Sequence, residues 1–324
     1  MSDLLTVENL TVEFDSDTGP VRAVDGVSFA VRRGETLGVV GESGCGKSVT
    51  ALSIMRLLPS PPGRIAGGRI LFDGRDLLPL PIAEMRAIRG RQISMIFQDP
   101  MSALSPLHSI GSQLAETVRI HRNVRASDAW ALGEDWLRKV GLPDPAQRMR
   151  SLPHELSGGM RQRVMIAMAM MLEPALVIAD EPTTALDVTI QAQIFELMRE
   201  LRDASTALVL ITHDMGVIWE MCDRMLVMYA GRVVEEGPVA EVFANPQHPY
   251  TVGLLKSMPR SQAKGQRLAS IPGQVPAPGQ MPAGCRFADR CPKVFARCRT
   301  EDPSLVETKP GHRAACFLVR EEGE

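Results

Sequence analysis

Residues 41–48 read GESGCGKS and fit the pattern GxxxxGK[ST], which is typical of a loop that binds nucleotide phosphates. Residues 36–40 before it are apolar like a buried strand, and residues 51–58 after it place apolar side chains at helical spacing. The glycines let backbone N–H groups turn toward phosphate oxygens at a helix start, where the partial positive charge favours anions. An ordinary glycine turn would explain neither the strand before the loop nor the helix after it.

Two side chains of this loop carry specific chemistry. Lys47 supplies a positive charge to the β- and γ-phosphates, and the Ser48 hydroxyl can coordinate Mg²⁺. We therefore predict that the chain binds ATP or GTP. The candidate nucleotide-binding residues of the loop are Gly41, Ser43, Gly44, Cys45, Gly46, Lys47, Ser48 and Val49.

Polar side chains also follow three further apolar strands of the predicted fold. Asp180 and Glu181 end the strand at 175–181, Gln98 follows the strand at 92–97, and His213 follows the strand at 207–211. Asp180 has the position of a magnesium-coordinating acid, and Glu181 that of a base that positions water for attack on the γ-phosphate. Taken singly, each has a structural alternative: a helix cap for the acids, a solvated loop for the glutamine and a structural role for the histidine.

A second glycine-containing segment, Leu156–Arg163, reads LSGGMRQR. Ser157 is a good helix N-cap, and an apolar helix is predicted to run on from Val164 to Leu172. Taken alone, Ser-Gly-Gly is merely a turn signal. Two glycines at a helix start would nevertheless let backbone N–H groups approach an anion closely.

The order of these segments favours an α/β protein, because open α/β sheets bind ligands at the carboxyl ends of their strands. Residues 7–14 and 21–31 are predicted to form antiparallel edge strands, and 70–74 a hairpin with an Asp-Gly turn. From about 101 to 157 the sequence is helical, polar and interrupted by prolines, which indicates a helical subdomain inserted into the core.

Composition limits the classes of protein and partner. With 36 basic and 38 acidic residues in 324, the net charge of −2 gives no argument for a nucleic-acid partner. The N-terminus lacks the basic and apolar regions of a signal peptide, and the longest apolar run, 164–172, is too short to span a bilayer. We expect a soluble cytosolic chain that docks on a membrane protein.

Together, the ordered motifs resemble the ATP-binding subunit of an ABC transporter over about residues 4–257, with LSGGMRQR similar to that family's signature. The resemblance implies a P-loop NTPase core (RecA-like) with an antiparallel β edge subdomain and an inserted helical subdomain. It also implies ATP and Mg²⁺ as cofactors, with Ser48, Gln98 and Asp180 contacting the metal. His213 would contact the γ-phosphate, and Glu181, His213 and Gln98 would be the catalytic residues.

The family resemblance further implies a head-to-tail dimer. Each ATP would lie between the Lys47 loop of one chain and the LSGGMRQR segment of the other, where the contacting residues are Ser157, Gly158 and Gly159. Asp187 would face the opposite subunit. Phe14 stands where the family often has an adenine-stacking tyrosine, and a phenyl ring can also stack on a base.

The tail is a separate part of the sequence. A proline-rich stretch at 259–284 precedes four cysteines, Cys285, Cys291, Cys298 and Cys316. Their spacing, C-x5-C-x6-C-x17-C, does not match common zinc sites. Thiolate-only sites suit zinc or an iron–sulphur cluster, whereas buried apolar cysteines and disulfides are the alternatives.

Within the tail, residues 245–318 resemble the C-terminal region of ATPases from peptide and nickel importers, through QHPYT at 247–251 and GCRFADRCP at 284–292. This resemblance implies a [4Fe–4S] cluster on the four tail cysteines, with Zn²⁺ as the alternative. We expect a nucleotide-binding domain at 1–257 and a small irregular Cys-rich extension at 258–324.

The two resemblances together imply an ATPase subunit that energises dipeptide or oligopeptide import from the cytoplasmic face of the membrane. Its expected partners are a second ABC ATPase subunit (a paralogue or a second copy), two transmembrane permease subunits and, indirectly, an external binding protein. No nucleic-acid partner is expected. The alternatives are import of nickel or another small solute, an exporter, or a soluble ABC ATPase.

Overall fold

The computed structural model of the chain describes residues 3–17, 19–184, 186–258, 270–277 and 279–319. Contacts divide the chain into two compact units. One unit comprises Met1–Leu78 and Leu210–Glu324, and the other comprises Pro79–Val209. The first unit is therefore built from both ends of the chain.

Over the described ranges, the strands are β1 (Asp3–Phe14), β2 (Val21–Arg32), β3 (Thr36–Val40), β4 (Gly63–Phe72), β5 (Arg75–Asp76), β6 (Ile93–Ile96), β7 (Leu176–Asp180), β8 (Ala207–Ile211), β9 (Arg224–Tyr229), β10 (Arg232–Pro238), β11 (Val306–Lys309) and β12 (His312–Ala314).

The α-helices of the same ranges are α1 (Lys47–Ile54), α2 (Ile82–Ile88), α3 (Pro100–Ala103), α4 (Ile110–His121), α5 (Ala126–Lys139), α6 (Pro145–Arg148), α7 (Gly158–Met170), α8 (Val188–Leu201), α9 (Met215–Met221), α10 (Val239–Ala244), α11 (Pro249–Lys256) and α12 (Ala296–Thr300). Two 3₁₀ turns lie at Pro153–Glu155 and Ala288–Arg290.

An antiparallel sheet in the first unit has the order β2-β1-β4-β5 and confirms the predicted edge strands. Its last hairpin turns at Asp73 and Gly74, whose φ angles are 49° and 78°. Two consecutive left-handed residues are the requirement of a type I′ hairpin, which Asp-Gly satisfies well. The predicted Asp-Gly turn is thus confirmed.

The second sheet of this unit carries the phosphate loop. Its strands are ordered β11-β12-β10-β9-β3, and the end of β8 lies next to β3. Strand β3 is parallel to β9 and buried at all five positions, as its unbroken apolar sequence predicts. The loop at 41–46 follows β3 directly and leads into α1.

In the second unit, β7 lies between the start of β8 and β6, and β6 and β7 are parallel. From Pro100 to Glu155 the secondary structure is helical, as expected from the sequence. Helix α4 packs on α5, where Gly111 leaves room for a tryptophan: an added Cβ would lie 2.5 Å from the Trp130 ring. Helix α7 is longer than its predicted apolar part and begins at Gly158.

The tail differs from the predicted irregular extension in one respect, because it contributes β11 and β12. Strand β12 pairs with β10, with Ala314 opposite Glu235. Phe287, from the segment between two tail cysteines, packs in the same buried cluster as Tyr229 and Tyr250. The tail is thereby part of the core of the first unit.

None of the helices in the described ranges combines the length and apolarity needed to cross a bilayer.

His248 is a buried titratable group at the start of α11. Its ring is 1% exposed, and its Nδ1 accepts a hydrogen bond from the backbone N–H of Tyr250 at 3.0 Å. Burial lowers the pKa of His248 to about 4 from an ordinary value of 6.5. The folded chain therefore keeps this imidazole neutral throughout the usual pH range.

We predict that this histidine makes the first unit less stable in acid. Above pH 6.5 the ring is neutral in both the folded and the unfolded chain. Between pH 6.5 and 4 only the unfolded chain takes up the proton, so the free energy of unfolding falls by about 3 kcal/mol in total. His248→Asn keeps an acceptor for the Tyr250 N–H and removes the titration, so urea midpoints should fall less between pH 7.5 and 4. His154→Asn, at an exposed position, is the control. Equal pH dependence in the parent and His248→Asn would contradict the prediction.

Candidate active site

The phosphate loop depends on glycine at two positions. Gly41 has φ 154°, and an added Cβ would lie 2.2 Å from the carbonyl oxygen of Met228. Gly46 has φ 101° and is the N-cap of α1. Because a glycine N-cap has no side chain, the first N–H groups of α1 receive no cap from it and can bind an anion.

Lys47 lies at the first position of α1 and is only 5% exposed. Its Nζ donates to the carbonyl oxygens of Gly41 at 2.8 Å and Glu42 at 3.2 Å. The ammonium group is thus held inside the curve of the loop by the loop's own backbone. A phosphate that enters the loop meets this charge without any large movement of the side chain.

Two residues from the C-terminal part of the unit contact Glu42 of the loop. The hydroxyl of Tyr250 accepts a hydrogen bond from the Glu42 N–H at 2.9 Å. The Arg290 guanidinium donates to both carboxylate oxygens of Glu42, at 2.6 and 3.0 Å. Burial raises the pKa of Tyr250, and the bond to Glu42 raises the pKa of Arg290, so neither group changes its charge near neutral pH.

Phe14 and His213 belong to the same unit as the loop. Phe14 is half-buried at the end of β1, with its ring over Gly63, where an added Cβ would lie 2.9 Å from the ring. His213 is exposed and follows β8 and Thr212. The next residue, Asp214, caps α9 through its side chain. Histidine is therefore presented to solvent at a strand end, as the sequence predicts.

The second unit brings the predicted acids and glutamine together. Asp180 is the last residue of β7 and is 5% exposed. The Oε2 atom of Glu181 accepts a hydrogen bond from Thr184 Oγ1 at 2.9 Å and one from Gln98 Nε2 at 3.4 Å. The carboxylate is therefore oriented by two polar side chains, one of which, Thr184, was not predicted.

The backbone of Glu181 adopts an uncommon conformation, with φ 44°. A left-handed φ is costly for a residue with a long side chain and is found mainly where the surrounding structure requires it, often at functional sites. Here it turns the chain sharply after β7.

Ser157 and Asp187 are helix caps in the second unit. Ser157 accepts a hydrogen bond from the Met160 N–H at 3.3 Å at the start of α7, which confirms the predicted N-cap. Asp187 accepts one from the Ile190 N–H at 2.9 Å at the start of α8. The two helix starts are adjacent, since a Cβ on Gly159 would lie 3.2 Å from the Ile190 side chain. Ser157 and Gly158 are exposed, so the N-terminus of α7 is open to an anion.

The four tail cysteines line one small cavity, of about 10 Å³, together with residues such as Phe287 and Phe317. This volume is no larger than the space for one water molecule. In the described part of the chain, no three His, Cys, Asp or Glu side chains have the arrangement of a metal site. All four tail thiols are free, so the structure contains no disulfide between them. Burial raises the pKa of the thiols of Cys285, Cys291 and Cys316, that of Cys316 to about 11.

Sequence reasoning missed the contacts of Glu42. The residue fills a variable position of the loop pattern, and its partners Tyr250 and Arg290 lie more than 200 positions later in the chain. The available signal was the group of charged and aromatic residues around Cys285 and Cys291. Their types indicate contact with another part of the protein but do not indicate which part.

Comparison with protein families gives two matches. Residues 24–184 match the ABC transporter family, and residues 234–298 match the oligopeptide/dipeptide transporter C-terminal region. The chain is 52% identical over 320 residues to a probable peptide ABC transporter ATP-binding protein of Sinorhizobium fredii, covering 98% of this chain and 96% of the relative. It is 49% identical over 324 residues to the oligopeptide transport ATP-binding protein AppD of Bacillus subtilis, covering 100% and 99%.

Solved structures agree with these matches. A dimeric ATP-binding cassette in a post-hydrolysis state with ADP and Pi superimposes with a TM-score of 0.65 at 25% identity, covering 72% of this chain and 98% of the cassette. A subunit of an ABC transporter complex of Clostridium perfringens gives a TM-score of 0.62 at 27% identity, covering 78% and 96%. On these grounds the chain belongs to the ATP-binding proteins of ABC transporters, in the oligopeptide/dipeptide branch, and is an ATPase.

Proposed function

We propose that this ATPase energises import of dipeptides or oligopeptides through a pair of membrane permeases. The observation that carries the proposal is that one chain combines an ABC cassette with a C-terminal region of the oligopeptide/dipeptide type. The test is uptake of labelled di- and oligopeptides by a deletion strain, with and without the restored gene. Restored uptake of nickel but not of peptides would assign the transporter to the other solute class of this branch.

We also propose a domain organisation for the chain. Residues 1–257 would form the nucleotide-binding domain, with a helical subdomain at about 101–157, and residues 258–324 a C-terminal extension. This domain organisation is supported by the helical content of Pro100–Glu155 and by the cysteine cavity of the tail. Residues 259–269 and 320–324 lie outside the described residues.

The proposed phosphate-binding group lies in the loop at 41–49, where Lys47 and the N–H groups of α1 would hold the β- and γ-phosphates. Ser48, Gln98 and Asp180 would coordinate Mg²⁺, which supplies charge neutralisation to the phosphates when bound. Phe14 would stack on the base, and His213 would donate to the γ-phosphate. The buried ammonium of Lys47 and the presentation of His213 after β8 support these roles.

Glu181 is the proposed general base. Its carboxylate would take a proton from the water that attacks the γ-phosphate, while Thr184 and Gln98 keep it oriented. Gln98 would also report the state of the membrane subunits. Met101 and Leu107, which follow Gln98 in the same unit, are 46% and 85% exposed, so apolar surface is available near it for a permease. The expected location is the cytoplasmic face of the membrane.

Glu181→Gln should reduce ATP turnover by about 10²–10⁴-fold and leave ATP bound, because the amide keeps its hydrogen bonds but cannot accept the proton. Steady-state phosphate release and ATP retention on a gel-filtration column measure the two effects. Glu200→Gln, which removes an exposed carboxylate from the end of α8, is the control. Turnover at the parent rate in Glu181→Gln would exclude Glu181 as the base.

The proposed ATPase dimer places each nucleotide between the Lys47 loop of one chain and Ser157, Gly158 and Gly159 of its partner, with Asp187 also facing that partner. The partner is a second copy or a paralogue. The exposed start of α7, capped by Ser157, supports this arrangement because it offers N–H groups to an anion from outside the chain.

Mixing two inactive variants tests the dimer. Ser157→Arg and Lys47→Ala should each be inactive alone, because every site in either homodimer lacks one of the two groups. Each mixed dimer contains one site with both groups intact. The turnover of a mixed dimer should therefore reach up to half that of the parent dimer. Ser157→Ala, which removes the helix cap at a cost of about 1 kcal/mol without adding charge, controls for damage to α7. Absence of any recovery in a mixed dimer demonstrated by labelling would contradict the arrangement in trans.

We also propose that Cys285, Cys291, Cys298 and Cys316 bind a metal, as a [4Fe–4S] cluster or as zinc. The support is the chemistry of the donors, because four free thiols line one cavity, although in the described residues they do not have the arrangement of a metal site. The raised thiol pKa values mean that binding must release protons, so occupancy should fall in acid. The role of the metal would be to stabilise the tail.

Protein purified without oxygen should be brown and contain iron and sulphide if a cluster is present. Cys291→Ser should abolish the colour and the metal, whereas Cys222→Ser, which changes a thiol outside the cavity, should keep both. Stoichiometric zinc without iron would replace the cluster by a zinc site. Metal-free protein under strictly anaerobic conditions would exclude both.

A further inference from the structure

The side chain of Arg290 connects the cysteine region to the phosphate loop. It lies next to Cys291 in sequence, is 6% exposed, and makes a two-point contact with the Glu42 carboxylate at 2.6 and 3.0 Å. Paired N–H···O bonds between a guanidinium and a carboxylate are among the strongest contacts of this kind and fix the relative orientation of both groups. The contact therefore constrains Glu42 in direction as well as in distance.

Arg290 is also fixed from its own side. Its Nε donates to the carbonyl oxygen of Pro272 at 2.9 Å, and its Nη2 donates to that of Ile271 at 3.3 Å. Gly273, with φ 78°, packs against the Cγ of Arg290, and a Cβ added to this glycine would lie 3.3 Å from that atom. Because the guanidinium is anchored by this backbone, it cannot follow Glu42 freely. The tail thus determines where the Glu42 carboxylate lies.

Glu42 in turn bears on the phosphate-binding groups. Its carbonyl oxygen accepts a hydrogen bond from Lys47 Nζ, and its N–H is bound by Tyr250. Its carboxylate is a negative charge within a loop that must bind several negative phosphate oxygens. Without a partner, that charge would repel the nucleotide, and the repulsion would be strong at a half-buried site. Arg290 neutralises it.

We infer that Arg290 is a positioning residue of the ATPase, which holds and neutralises the Glu42 carboxylate so that the cysteine region sets the affinity of the loop for ATP. A contact that only fastened the tail could lie anywhere on the unit. The Lys309–Glu241 pair, at 2.6 Å, fastens β11 to α10 in this way and involves no residue of the loop.

The experiment measures the Kd for ATP of the full-length chain by calorimetry, with the thermal unfolding midpoint recorded in parallel. Arg290→Met should raise the Kd roughly tenfold, equivalent to about 1.4 kcal/mol, because Glu42 is left uncompensated. Arg290→Lys, which restores the charge but not the paired geometry, should give an intermediate Kd. Lys309→Met is the matched control and should bind ATP as the parent does.

The decisive variant is the double substitution. Glu42→Gln removes the charge that Arg290 neutralises, and its own Kd is the reference value for the double variant. Added to Arg290→Met, it should return the Kd toward that value. If the double variant binds ATP as weakly as Arg290→Met, Arg290 does not act through Glu42 and the inference is wrong.

Two further results would overturn it. One is an Arg290→Met variant with the Kd of the parent and a lower unfolding midpoint, which is the behaviour of a structural anchor. The other is hydrogen exchange at residues 285–291 that does not change when ATP binds. The coupling free energy between two sites is reciprocal. ATP should therefore slow hydrogen exchange in this segment of the parent, and Arg290→Met should abolish that effect.

Discussion

The buried carboxylate of Glu235 is the interaction on which the first unit depends. The side chain is 0% exposed, and its oxygens accept hydrogen bonds from the N–H groups of Gln247 at 2.7 Å and His248 at 2.9 Å. His312 Nε2 lies 2.8 Å from the same carboxylate and must be the donor, since the carboxylate only accepts. An unpaired buried charge would be strongly destabilising, so these three donors are required together. One side chain of β10 thereby fixes the start of α11 and strand β12.

This arrangement explains why the QHPY segment matters to a nucleotide site. Glu235 holds the backbone of Gln247 and His248, and His248 caps α11 through the Tyr250 N–H. Tyr250 is then placed with its ring against Tyr229 and its hydroxyl on the Glu42 N–H. A fully buried carboxylate and the phosphate loop are in this way joined by a series of short hydrogen bonds through His248 and Tyr250.

The parts of the site that follow from local sequence were predictable. The phosphate loop, the strand ends at Asp180 and Ile211, and the cap at Ser157 are set by residue types within a few positions, and the structure has them. Contacts between distant segments were not predictable. Arg290 and Glu42 are 248 positions apart, and no spacing rule relates them. The left-handed φ of Glu181 was also not predictable from the sequence, because sequence patterns indicate that conformation mainly for glycine.

The spacing of the tail cysteines, which matches no common metal pattern, has a packing explanation. Between Cys285 and Cys291 the chain must place Arg286 on Asp25 and the Ala230 carbonyl, Phe287 in the core, and Arg290 on Glu42. The neighbouring Gly231 N–H donates to the carbonyl oxygen of Cys45 at 3.0 Å. The segment between the two thiols therefore contacts the loop at Glu42 and, through the Ala230–Gly231 turn, at Cys45. Five residues separate the two thiols, and Arg286, Phe287 and Arg290 among them make these contacts. The segment that brings the two thiols to one cavity therefore also contacts the phosphate loop.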